Sequence, residues 1–111
     1  MKLRQTGLVL AATLAAATFA ARSASAQAPD ALHLINTHCQ QCHEIKGIGD
    51  FGTVGPSLID LKDRYPDRKD VVAIINDETK RNELAVMPPF GRNHILTQQE
   101  IETIVDYLYK Q

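Results

Sequence analysis

Two cysteines stand three positions apart, with a histidine directly after the second: Cys39-Gln40-Gln41-Cys42-His43. Thiols at that spacing can add across the two vinyl groups on one edge of a porphyrin, because two intervening residues let the backbone arch between them. The next residue then lies under the iron, where an imidazole can ligate it. The motif predicts one covalently attached haem c, bound through Cys39 and Cys42, with His43 as an axial ligand. Three other uses of the pair compete. A thioredoxin-like C-x-x-C needs a βαβ surround, and the chain shows no alternating strand pattern. A zinc site wants a further pair of ligands at coordinating spacing, and no other cysteine exists. A disulfide across two residues closes too short a loop to stabilise much.

The other face of the iron needs its own ligand. Met87 is the one methionine besides Met1. A methionine is often a gap-filler in a core, but this one opens Met87-Pro88-Pro89-Phe90-Gly91, a stiff proline loop suited to holding a weak thioether bond. Thioether ligation raises the reduction potential over an all-nitrogen site. Met87 is therefore the expected sixth ligand of a low-spin, six-coordinate iron, with His94 as the other candidate. His33 and His38 read as surface or core-edge histidines. An axial histidine donates its second ring nitrogen to a carbonyl or carboxylate. The Pro56 carbonyl is a candidate acceptor, although a proline after Gly55 is equally a turn residue. Tyr65, Arg92 and Lys46 are candidates to reach the haem propionates.

The start of the chain reads as an export leader. Lys2 and Arg4 precede an uncharged Ala/Leu-rich run from Gly7 to Ala21, and Ala24-x-Ala26 is the small-residue pattern at which such leaders are cut. The competing reading is an uncleaved anchor, for which the run is short against the ~20 residues that span a bilayer. Residues 1–26 are thus expected to be a cleaved signal peptide and residues 27–111 a single periplasmic domain, with no stable membrane insertion. All thirteen acidic residues lie in 27–111, against nine of the twelve basic ones, for a net charge of −4. That balance, without a basic run or stacking aromatics, argues against nucleic acid. A domain this small needs a staple, and a cross-linked porphyrin supplies one.

The elements that must position these groups are helical. Ala31 to His38, capped by Asp30, turns Ala31, Leu34 and Ile35 inward and delivers the chain to Cys39. Residues 46–56 are a loop punctuated by Gly47, Gly49, Gly52 and Gly55, read as turn geometry. Ser57 to Arg64 predicts one or two helical turns, broken at Tyr65-Pro66-Asp67. Asp70 to about Lys80 carries the Val71, Ile74, Ile75 stripe of a helix. Two prolines keep Met87 to Gly91 out of a helix. Thr97-x-x-Glu100 is a capping box, followed by Ile101, Ile104, Val105 and Leu108 at helical spacing. The class is all-α, three to five helices with long loops.

Taken together, Cys39 to His43, Gly55-Pro56-x-Leu58, the Met87 loop and the Ile101 to Leu108 helix resemble the class I cytochromes c over nearly all of residues 27–111. The resemblance implies a fold in which the first and last helices cross and helices wrap one haem, and it favours Pro56 as the partner of His43. Thr53-Val54-Gly55-Pro56-Ser57-Leu58 with Met87 to Gly91, then Leu96-Thr97-x-x-Glu100-Ile101 and Ile104-Val105-x-Tyr107-Leu108, is similar to the SoxX family, the small cytochrome subunits of SoxAX complexes in bacterial thiosulfate oxidation. That resemblance implies a SoxA-like cytochrome partner and a soluble cytochrome or oxidase downstream. The complex is an L-cysteine S-thiosulfotransferase, and the bond-making cysteine belongs to the partner. Both cysteines here are taken by haem, so no catalysis is expected of this chain alone. A free-standing shuttle between a dehydrogenase and a terminal oxidase is the alternative. An enzyme working at an open iron is a third reading, and requires that Met87 not bind.

Overall fold

The computed structural model describes residues 29–111. The reading of residues 1–26 as a signal peptide lies outside them. Among the described residues there are four α-helices and no strand: α1 (Ala31–His38), α2 (Leu61–Arg64), α3 (Arg68–Asp77) and α4 (Gln98–Leu108), with a single 3₁₀ turn at Glu78–Lys80 following α3. None is long and apolar enough to cross a membrane.

Three of the helices, α1, α3 and α4, begin where a side-chain oxygen accepts from their free amides. The Asp30 carboxylate accepts from Leu32 N at 3.1 Å, starting α1 where expected. Thr97 and Glu100 cap α4 reciprocally: Thr97 Oγ1 accepts from Glu100 N at 3.2 Å, and Glu100 Oε2 accepts from Thr97 N at 2.7 Å. Two boundaries differ from expectation. α3 starts at Arg68 because Asp67, directly after the proline, is the side chain that caps, accepting from Lys69 N at 2.9 Å. α2 is a single turn starting at Leu61, because Asp60 sits in the left-handed region at φ 53° and interrupts any helix begun at Ser57.

The last helix organises the rest. α4 packs against α1 on one side and α3 on another, burying Ile101, Ile104, Val105 and Leu108. Leu34 and Ile35 from α1, Val71 and Ile75 from α3, and the loop residues Ile45, Phe90 and Leu96 complete the core. Arg68 clamps α3 to α4 from outside, reaching Glu102 at 2.6 Å and Asp106 at 2.7 Å. The helices do not close on one another completely. Ile104 and Leu108 of α4, Val71 and Ile75 of α3, and Leu61 of α2 turn toward a shared cavity.

Candidate haem site

α1 ends at the first cysteine. The Ile35 carbonyl accepts from both Cys39 N and Gln40 N, at 2.9 and 3.0 Å. The Cys39 carbonyl then accepts from Cys42 N and His43 N, at 3.1 and 3.0 Å, which bends the chain into the arch the spacing calls for. Cys39, Cys42 and His43 consequently face one cavity of about 250 Å³, open on one side and walled mainly by apolar side chains.

The loop after the motif is sewn back onto it. Gly52 N donates to Gln40 O at 2.9 Å, Gly55 N to Cys42 O at 2.7 Å and Leu58 N to Glu44 O at 2.8 Å. Gln40 adds its side chain, with Nε2 donating to the Gly49 and Asp50 carbonyls at 2.9 and 3.2 Å. These bonds bring residues 55–56 against the imidazole. His43 Nδ1 lies 2.7 Å from Pro56 O. A carbonyl only accepts, so Nδ1 carries the proton and Nε2 keeps its lone pair, the tautomer an iron ligand requires. Gly55 permits this approach: a Cβ there would stand 2.3 Å from His43 Cε1. The glycine is there for space and not merely for turning the chain.

Met87 and Pro56 line the same cavity, so all five residues expected at the site are brought together. His94 is not among its lining residues. It is exposed, at φ 56° in the turn that closes the Met87 loop. His33 is exposed, whereas His38 lines the cavity edge and meets Phe90 edge-on at 5.7 Å between ring centres. Of the polar residues expected near the propionates, Tyr65 lines the cavity and Arg92 and Lys46 do not. Arg64, Glu78 and Arg81 do line it, and sequence reasoning passed over them. Arg81 Nη2 donates to Tyr65 Oη and to Glu78 Oε1, each at 3.1 Å. Only the helical spacing of Glu78 and Arg81 hinted at this, and nothing local tied them to Tyr65.

The donor set suits a porphyrin and fits the competing uses poorly. Burial, with Cys42 alongside, pushes the Cys39 thiol up to about 11, the opposite of the lowered thiol of a redox C-x-x-C. Among the described residues no three His, Cys, Asp or Glu side chains are arranged to hold a bare metal ion. Two thiols on one wall, an oriented imidazole, a thioether and an apolar enclosure match a flat apolar group attached through sulfur.

A family model described as cytochrome c matches residues 30–111. The chain belongs to the cytochrome c family. It is a haem-binding electron-transfer protein; the family implies a covalently bound haem c, and the chain carries two cysteines, Cys39 and Cys42, on the cavity wall. No curated protein matches this cytochrome at a significant level.

Proposed function

We propose that this cytochrome is a periplasmic, single-haem electron carrier whose iron is bound by His43 and Met87, and that it serves as the SoxX-type electron-accepting subunit beside a SoxA-like partner. The observation that carries the ligand assignment is the shared cavity, into which the two thiols, the Pro56-oriented imidazole and Met87 all face. The bound haem iron supplies reversible one-electron chemistry between its ferric and ferrous states. The protein supplies the setting. Pro56 fixes the His43 tautomer, the proline loop presents a thioether, and apolar walls keep water off most of the site. With both axial positions filled by side chains of this chain, His43 and Met87, the site would rearrange little on electron transfer.

The partner assignment draws on the Thr53 to Leu58 and Met87 to Gly91 segments and on the cavity mouth. Leu84 stands beside the cavity without lining it and is 88% exposed. An apolar side chain left open next to the haem site suits a lasting subunit contact better than the small, transient contacts of a shuttle. With both cysteines committed to haem, the thiol chemistry of the complex falls to the partner.

Purification of the natural holoprotein tests both parts. The expected result is a stable heterodimer with a second c-type cytochrome, and an oxidised spectrum carrying the weak long-wavelength sulfur-to-iron band. A monomer that ignores SoxA-type cytochromes points to the free-standing shuttle. Absence of the band removes Met87 from the iron.

A further inference from the structure

Asp77, at the end of α3, is the one charged residue fully buried among the described residues, at 4% exposure. A buried carboxylate is costly unless it is paired and hydrogen-bonded. Its Oδ1 accepts from Thr79 N at 3.1 Å and from the Thr79 hydroxyl, while Oδ2 accepts from Arg92 Nη1 at 2.8 Å. The same Arg92 nitrogen also reaches Thr79 Oγ1 at 3.2 Å. Arg92 belongs to the loop that begins at Met87. The residue before Asp77 reinforces the tie, since Asn76 O accepts from Gly91 N and Arg92 N at 3.2 and 3.1 Å. The fit is close: a Cβ on Gly91 would stand 2.0 Å from Asn76 Oδ1.

The chain is hydrogen-bonded on both sides of Met87, and the side beyond it is tied to α3. Asn93 N donates to Pro89 O, and both Ile95 N and Leu96 N donate to Phe90 O, at 2.9 to 3.1 Å. Phe90 is buried. On the other side of Met87 a turn, in which Leu84 N and Ala85 N donate to Asn82 Oδ1 and Asn82 O at 3.1 and 3.0 Å, carries Leu84 and Val86 outward. On its C-terminal side Met87 is held, through two prolines, by a turn anchored on α3.

We propose that Asp77 is a positioning residue for Met87, acting through Arg92 to hold the thioether loop against the haem cavity. The inference rests on the reading of Met87 as an axial ligand. Both charged partners are needed: Arg92 alone has a 54% exposed side chain with little reason to stay, and Asp77 alone is a buried charge with only Thr79 to satisfy it.

The test is the affinity of the oxidised holoprotein for imidazole, a neutral probe that must displace the thioether and is indifferent to a change of charge at position 77. Asp77→Asn and Arg92→Gln should each bind imidazole roughly tenfold tighter, the scale of one charge-assisted hydrogen bond, and weaken the sulfur-to-iron band. Arg92→Lys should recover part of the effect. Arg68→Gln cuts both ion pairs between α3 and α4, so it should lower the melting temperature while leaving imidazole affinity within about twofold of wild type, as expected for a site with no shared partners. Met87→Ala should bind tightest, and Asp77→Asn added to it should change nothing further. If Met87→Ala leaves band and affinity untouched, the ligand reading fails. If Met87→Ala opens the iron but Asp77→Asn and Arg92→Gln behave as wild type, the positioning role fails alone. An Arg68→Gln effect as large as theirs, or an Asp77→Asn effect that survives in Met87→Ala, also overturns it.

Discussion

Gly55 is the residue on which the geometry of the site turns. A Cβ there would stand within 3 Å of three atoms of the His43 ring, which is tied in place by the 2.7 Å bond between Nδ1 and Pro56 O. Gly55→Ala must therefore push the ring off its acceptor or force the loop away from Cys42. Overpacking of this kind costs about 1–3 kcal/mol, which for a domain of this size is a fall in melting temperature of roughly 5–20 °C. Gly49→Ala makes the control, because a Cβ there meets nothing within 4 Å. Thermal unfolding of both holoproteins should separate them clearly, and equal melting temperatures would sink the steric account. The two cysteines and His43 were legible in the sequence because covalent chemistry fixes their spacing. Met87 was legible because no other methionine was available. The close approaches at Gly52, Gly55 and Gly91 were not, since a glycine read as a turn looks the same as one read as a gap. The pairing of Asp77 with Arg92, which was read toward the propionates, was equally hidden, because fourteen intervening residues leave no local signal for a tertiary ion pair.

Among the elements, α1 and α4 were readable to the residue, and for the same reason: each has a side-chain cap directly before an apolar stripe. α2 and α3 were readable in kind but not in extent. The start of α2 is set by the left-handed backbone at Asp60, and that of α3 by Asp67 being the aspartate that turns back to cap. The α4 cap carries a prediction about acid. Two hydrogen bonds from Thr97, first its backbone N–H and then its hydroxyl, hold the Glu100 carboxyl below its ordinary 4.5. A carboxyl depressed by folding adds stability that is fully present above its unfolded value and is lost as pH falls through the folded one. Glu100→Gln keeps an oxygen for the cap and removes the proton uptake. The melting temperature of wild type should therefore drop more steeply than that of Glu100→Gln below about pH 4.5. Some slope should remain in the variant, since Glu102 is held down in the same way by Arg68. Parallel curves would show that the cap does not couple to protonation.

At the scale of the whole molecule, the fold and the cofactor are hard to separate. α4 is buried along one face, but part of that face, Ile104 and Leu108, looks into the cavity with Val71 and Ile75 of α3 and Leu61 of α2. The three helices meet around a space of about 250 Å³ and not across a closed core. These five apolar side chains face that space instead of one another, so a share of the apolar burial that stabilises the fold depends on the group held there. The cysteines matter in a second way, because two thioether links would tie residues 39 and 42 to a group seated in the cavity that α3 and α4 also line. The chain produced without haem should thus retain only part of its helix, with α2 and α3 coming away from α4 before α1 does. Far-UV circular dichroism should show a marked loss of helical signal, and heating should give a shallow slope in place of a cooperative transition. A haem-free chain with the helical content and sharp unfolding of the holoprotein would mean that Ile101, Ile104, Val105 and Leu108 hold the fold against α1 and α3 by themselves.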